Sequence, residues 1–181
     1  MTRWQDMPTL RTEYVQDGWL GTPEYEKVQA ISDSLLDHLN TPGARQLMAR
    51  ANLPGISSSQ VQATFLPFAQ ELGFVSEAKG LFKEYDNKFL RPDYYLSLGD
   101  TGILMEVERG KTTTNNMDLL DLWKTHVCTQ AHYLFLMVPQ ALKHNDTMSP
   151  KKEFASVSKR LGSFYAAANY TNVRAVHIFG Y

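Results

Sequence analysis

The spacing of apolar residues predicts helices in the first part of the chain and strands alternating with helices in the remainder. Before residue 73, apolar side chains recur every three or four positions, the period of a helix with one buried face. The helices predicted from this spacing cover residues 25–39, 44–51 and 57–72. Thr22 is a predicted N-cap, with Pro23 at the first helical position. Residues 1–22 have no clear period, so no element is predicted there.

From residue 74 the pattern changes to short apolar runs that are typical of strands. Three strands are predicted in succession, at residues 74–85, 94–98 and 103–108. Their short links favour a meander, and residues 99–102, with glycine at both ends, predict a hairpin turn. The elements predicted after the meander are a helix at 117–129, a strand at 132–138, a helix at 150–169 and a strand at 173–179. Residues 132–138 are almost wholly apolar, as expected of a strand buried on both faces.

Length and composition bring constraints on the class of protein. The chain has 181 residues, 43% of them hydrophobic, which fits one globular domain with a full core. The single cysteine, Cys128, excludes an intrachain disulfide framework and suits a reducing compartment. We expect a cytoplasmic protein with no membrane partner, because the chain shows neither a signal peptide nor an apolar run of membrane-spanning length. The formal net charge of −1 means that any nucleic-acid binding depends on a local basic patch.

Three carboxylates are predicted to converge at the second and third strands of the meander. Side chains alternate between the two faces of a strand, so Leu104, Glu106 and Glu108 share one face. Folding of the hairpin brings Asp93, which precedes the second strand, back beside Glu106. Like charges this close repel one another, and a hard cation with oxygen ligands such as Mg²⁺ would compensate them. The sequence therefore predicts a metal site where Asp93, Glu106 and Glu108 converge.

The order Pro92-Asp93, a spacer, then Glu106-Val107-Glu108 resembles the pattern of the PD-(D/E)XK nuclease superfamily, which has the restriction endonuclease-like fold. The predicted order from residue 57 onward, αβββαβαβ, is also the core order of that superfamily. The resemblance implies an α/β fold, with a mixed sheet flanked by helices over residues 57–181. Residues 1–56 form a helical N-terminal extension outside it.

The resemblance further implies a metal-dependent DNA endonuclease that hydrolyses phosphodiester bonds, of restriction or mobile-element type. The partner would be DNA, and a homodimer would form where both strands of a duplex are cut. The implied cofactor is Mg²⁺ or Mn²⁺, held by Asp93, Glu106 and the main-chain carbonyl of Val107. Glu108 stands where the superfamily usually has lysine. Some type II restriction enzymes likewise have Glu or Gln at that position. The catalytic residues would then be Asp93, Glu106, Glu108 and Lys111, with Lys111 a source of the missing positive charge.

Other polar residues near this strand are candidates for contact with nucleic acid. The segment after residue 108 carries cations, hydroxyls and amides before a predicted helix N-terminus, all of which suit phosphate. The predicted nucleic-acid contacts are Arg109, Lys111, Thr112, Asn115 and, further along the helix, Lys124. Glu71, near the end of the helix before the sheet, and Lys83, on or beside the first strand of the meander, are accessory candidates.

Several alternatives stay open at this point. The three carboxylates could be solvated surface groups, or the chain could be a catalytically inactive nuclease-fold module that binds nucleic acid or a protein. An acid–base pair acting on a sugar is less consistent, since carboxylates two apart on a strand face lie about 7 Å apart on one side of the bond. Zinc at Cys128, His126 and His132 fits no standard ligand spacing.

Overall fold

The structure is a computed structural model that describes residues 7–53, 55–76, 91–110, 112–141 and 149–181. Helices and strands follow one another in a mixed order. The helices are α1 (Pro23–Leu39), α2 (Pro42–Ala51), α3 (Ser58–Ala63), α4 (Leu66–Glu71), α5 (Met117–Val127) and α6 (Glu153–Gly162), with a 3₁₀ turn at Ser163–Tyr165. The strands are β1 (Leu10–Val15), β2 (Val75–Ser76), β3 (Tyr94–Ser97), β4 (Gly102–Val107), β5 (Tyr133–Val138) and β6 (Ala175–Gly180).

The strands form one mixed sheet in the order β1-β6-β5-β4-β3-β2. The strands β4, β5 and β6 are parallel, and α5 and α6 connect them in turn. The strands β2, β3 and β4 form the predicted antiparallel meander. The chain is therefore an α/β protein with N-terminal helices and a six-stranded mixed sheet flanked by helices.

Each face of the sheet is covered by a different set of helices. Alternate residues of the central strands, among them Ile103, Phe135 and Phe179, pack with residues of α1–α4 such as Val28 and Phe65. The other set faces α5 and α6, as the alternation of side chains along a strand requires. Its members include Leu104, Leu134, Ile178, Leu122 and Leu161. Because Leu104 lies on the α5 side, Glu106, two residues further along β4, lies there too.

The strand β1 was not predicted, because residues 1–22 lack a readable period. The structure shows β1 paired antiparallel with β6, with Leu10 opposite Gly180 and Val15 opposite Ala175. None of the six residues of β1 is fully buried, so the strand has no alternation of apolar and polar positions to detect. The prediction of no element in residues 1–22 was therefore wrong.

Two predicted helices differ from those in the structure. The helix predicted at 57–72 is two short helices, α3 and α4. Pro67 lies in the first turn of α4, and a proline inside one continuous helix would clash with the carbonyl four residues earlier, at Ala63. The helix predicted at 150–169 is only α6 and the 3₁₀ turn after it.

Other local predictions were confirmed. The Thr22 hydroxyl accepts a hydrogen bond from the Tyr25 N–H at 3.2 Å and caps α1. The hairpin closes with the Leu98 N–H donating to the Thr101 carbonyl. Of the strand predicted at 74–85, residues 74–76 fall within the described part of the chain, and Val75–Ser76 of these form the strand β2. No helix in the described ranges is long and apolar enough to cross a membrane.

Candidate active site

The hairpin between β3 and β4 brings Asp93 beside Glu106, as predicted. Tyr94 pairs with Met105 across the two strands, so the residue before β3 lies opposite the last residues of β4. The Val107 N–H donates to Asp93 Oδ2 at 2.9 Å, and the Asp93 N–H donates to Glu106 Oε2 at 3.2 Å. These two bonds fix both carboxylates at the C-terminal end of β4.

Lys124 on α5 enters the same cluster. Its Nζ donates a hydrogen bond to Glu106 Oε1 at 2.8 Å. The same Nζ lies 2.9 Å from Oδ1 of Asp121, one turn earlier on the helix. Both lysine and glutamate are nearly buried, with Lys124 7% exposed and Glu106 4% exposed. The sequence assigned Lys124 to nucleic-acid contact, whereas the structure places its ammonium group on the central carboxylate.

The cluster carries more carboxyl groups than cations, and the pKa directions reflect this excess. Burial and the Asp121 carboxylate raise the pKa of Glu106 well above its ordinary value, although Lys124 acts to lower it. Burial raises the pKa of Asp121 to about 6. Burial also raises the pKa of Asp93, although the Val107 N–H opposes it. Burial lowers the pKa of Lys124, but Glu106 and Asp121 outweigh that effect and raise it, so the ammonium stays charged.

Glu108 lies at the partly exposed margin of this cluster. Its backbone is fixed because its N–H donates to the Met137 carbonyl at 2.9 Å and its carbonyl accepts from the Tyr181 hydroxyl at 2.8 Å. Burial and the nearby Asp121 carboxylate raise the pKa of Glu108 to about 8. A carboxyl group with this pKa can exchange a proton near neutral pH.

The residue that reaches Asp93 from the helices before the sheet is Gln62. Its Nε2 donates to Asp93 Oδ2 at 3.3 Å, and its Oε1 accepts from the Tyr94 hydroxyl at 2.8 Å. Glu71, the accessory candidate, is exposed at the end of α4. Its charge lies near His38, where it opposes the lowering of the His38 pKa by burial. The sequence contained no signal for Gln62, since an amide on a partly exposed helix is ordinary.

The predicted nucleic-acid contacts are placed differently from one another. Arg109 is bound within the chain: Nε donates to the Ile56 carbonyl at 2.7 Å, Nη1 donates to Asn52 Oδ1 at 2.7 Å, and Nη2 donates to the Leu53 carbonyl. Thr112 is fully buried, which removes its side chain from contact with a ligand at the surface.

Asn115 is exposed, as a contact residue would be. Lys111 and Lys83 lie outside the described residues. Of the five predicted nucleic-acid contacts, only Asn115 is therefore seen on the surface with its side chain exposed.

A second polar cluster holds the start of α5 against α6. Arg160 donates to the Thr113 carbonyl at 2.9 Å and to Asn116 Oδ1 at 2.6 Å, and its Nε lies 3.3 Å from Asp118 Oδ2. The Thr113 hydroxyl donates to the buried Glu153 at 2.8 Å. These contacts hold the N-terminal end of α5 against α6.

The donor set at the end of β4 fits a hard divalent cation. Asp93, Glu106 and the Val107 carbonyl are the groups that could hold such an ion, and the excess of negative charge favours a cation. Within the described part of the chain, no group of three His, Cys, Asp or Glu side chains is arranged to hold a metal ion. A Mg²⁺ ion here would complete its shell with water or substrate oxygens, as it commonly does where one or two carboxylates bind it.

The alternative zinc residues have other surroundings. His126 Nδ1 accepts from the Asn172 N–H at 3.0 Å, and His132 Nδ1 lies 2.8 Å from the Thr101 hydroxyl. Cys128 is buried in the core between the sheet and α5.

No family model matches this chain, and comparisons with curated proteins and with solved structures gave no match either. The sequence signal for the lysine of the carboxylate cluster was present, because Asp121 and Lys124 interrupt the apolar stripe of a helix at a spacing that places them on one face.

Proposed function

We propose that this protein is a metal-dependent DNA endonuclease with the restriction endonuclease-like fold. The observation that carries the proposal is the hydrogen bond of 2.8 Å from Lys124 Nζ to Glu106 Oε1. Two residues after Glu106 the chain has Glu108 rather than a lysine. Without a nearby cation, the cluster would fit a protein that binds nucleic acid or a protein partner better than one that cleaves DNA. Lys124 supplies that cation from α5.

The arrangement of elements supports the same proposal. From α4 onward the order of helices and strands is αβββαβαβ, with the carboxylates at the C-terminal end of β4. Ligands in open α/β sheets generally bind beyond the carboxyl ends of the parallel strands. Asp93 and Glu108 are partly exposed there, so a phosphate group can approach the cluster from that side.

Each side chain has a role that follows from its position. Asp93, Glu106 and the Val107 carbonyl would hold the divalent ion, which when bound lowers the pKa of water and offsets charge on the phosphate. Glu108, whose pKa lies near neutral pH, orients the attacking water and accepts its proton at the carboxylate. The Lys124 ammonium offsets the negative charge that develops on the scissile phosphate.

The test is cleavage of supercoiled plasmid and single-stranded DNA in Mg²⁺ or Mn²⁺. We expect Asp93→Ala, Glu106→Gln and Lys124→Met each to lower the rate by about a hundredfold or more, because each removes a group acting on the reacting phosphate or the metal ion. Lys27→Met is the matched control, since Lys27 is exposed on α1, on the other face of the sheet.

Circular dichroism melting curves would show that each variant is folded. Full activity in a folded Lys124→Met variant would contradict the role of that lysine. No cleavage of any of these substrates by the folded wild type would favour a nucleic-acid-binding or protein-interaction module that uses the same fold.

A further inference from the structure

Asp121 is the buried carboxylate on the far side of Lys124 from Glu106. It is three residues before Lys124 on α5, its side chain is fully buried, and its Oδ1 lies 2.9 Å from Lys124 Nζ. The ammonium group is thus held between a carboxylate from the strand and one from its own helix. No role for Asp121 follows from the metal ligands or from the proposed base.

The two contacts of the Lys124 ammonium group differ in the alignment of donor and acceptor. Lys124 donates a directed hydrogen bond to Glu106, whereas neither oxygen of Asp121 has a well-aligned donor within the described ranges. Asp121 therefore holds the ammonium by charge and close approach, in a contact less well aligned than the hydrogen bond to Glu106. The ammonium is already within reach, so a small reorientation would align it with Asp121.

We propose that Asp121 is a positioning residue, which retains Lys124 at the cluster when Glu106 binds a divalent cation. The inference rests on the proposed function, in which Glu106 is a metal ligand. An ammonium and a divalent ion on the same carboxylate repel one another. Lys124 is 7% exposed, so it could not simply remain without a partner, because a buried unpaired charge is strongly unfavourable.

The proposal predicts opposite effects on metal affinity for the two partners. Lys124→Met removes a competing cation, so the ion should bind more tightly. Asp121→Asn leaves Lys124 with Glu106 alone, so the ion should bind more weakly. Asp118→Asn is the matched control, since Asp118 is an equally buried carboxylate one turn earlier on α5 that pairs with Arg160 instead.

The experiment is a Mn²⁺ titration of the full chain by calorimetry, without DNA. We expect Mn²⁺ affinity to rise about tenfold or more in Lys124→Met, given the size of a charge interaction at this range. We expect Asp121→Asn to lower the affinity more than Asp118→Asn does. In the Lys124→Met background this difference should become much smaller, because Asp121 then acts on Glu106 by its charge alone. If Lys124→Met fails to fold, Lys124→Gln takes its place.

If Asp121→Asn lowers the Mn²⁺ affinity equally with and without Lys124, the proposal is overturned, since Asp121 would then act by its own charge. The proposal is also overturned if, in the wild-type background, Asp121→Asn lowers the Mn²⁺ affinity no more than Asp118→Asn does. So would a wild type that binds no Mn²⁺. The titration measures no cleavage, so the positioning role can fail in an active nuclease and can hold in a protein that cuts no DNA.

Discussion

Single side chains decide the charge of the carboxylate cluster. Glu108 is the clearest case, because its carboxyl group changes its state of ionisation near neutral pH. Burial raises its pKa to about 8, so the folded protein holds this proton more tightly than the unfolded chain does. The stabilisation is complete below the ordinary pKa of a glutamate and is lost as the pH rises through about 8.

The metal-free protein should therefore lose stability between pH 5 and pH 8, and Glu108→Gln should lose less. We expect the two free energies of unfolding to diverge by roughly 2 kcal/mol across this range, less than the full pKa shift implies because Glu108 is partly exposed. Urea denaturation in EDTA at several pH values would measure the divergence. Parallel curves for the two proteins would show that Glu108 ionises at its ordinary pKa.

Arg109 should affect the stability of the fold through the segment between α2 and α3. Arg109→Ala removes the hydrogen bonds to Asn52, Leu53 and Ile56, and we expect a loss of about 2 kcal/mol or more, because bonds to a charged donor are among the stronger ones. Arg50→Ala, at an exposed position of α2, should change stability little. Equal midpoints of urea unfolding for the two variants would contradict this role.

At the scale of elements, the meander and its hairpin followed directly from the sequence, and the short helices before them did not. Short apolar runs and a turn with two glycines determine β3 and β4 locally. The pairing of β1 depends on a partner far along the chain. The break at Pro67 has a local cause, the proline itself, which the spacing of apolar residues does not show. The carboxylates of β4 were predictable because strand alternation places them. Asp121 and Lys124 are visible in the sequence only as a polar pair on one face of a helix, and their contact with Glu106 depends on how α5 packs on the sheet.

The hairpin depends on the absence of a side chain at Gly102. An added Cβ would lie 2.6 Å from the Leu96 carbonyl oxygen and would also meet the ring of Tyr95. We expect Gly102→Ala to lower the free energy of unfolding by about 1–3 kcal/mol, the usual effect of overpacking.

Gly43→Ala is the control, since Gly43 lies in the first turn of α2 with nothing within 4 Å of an added Cβ. It should raise stability by about 0.4–1 kcal/mol. Chemical denaturation of both variants measures these changes. A Gly102→Ala variant as stable as wild type would mean that Leu96 and Tyr95 can move to accommodate the added methyl group without loss of stability.

At the scale of the whole molecule, binding of a cation should stabilise the folded state as a unit. A ligand at about a hundred times its dissociation constant adds about 2.7 kcal/mol to the free energy of unfolding. We expect Mg²⁺ or Mn²⁺ to raise the melting temperature of wild type and of Asp100→Ala, an exposed carboxylate of the hairpin turn. Asp93→Ala should show no such rise, and an equal rise in that variant would place the cation elsewhere.

The pairing of β1 with β6 joins the first and the last strand of the described residues. During synthesis, β3, β4 and α5 leave the ribosome well before β6 does. The hairpin, Asp93, Glu106 and Lys124 can therefore come together while β1 still has no partner. Contacts this far apart in sequence form slowly, because a long loop must close first. We therefore expect the sheet to assemble from its centre outward, with β1 among the last strands to join.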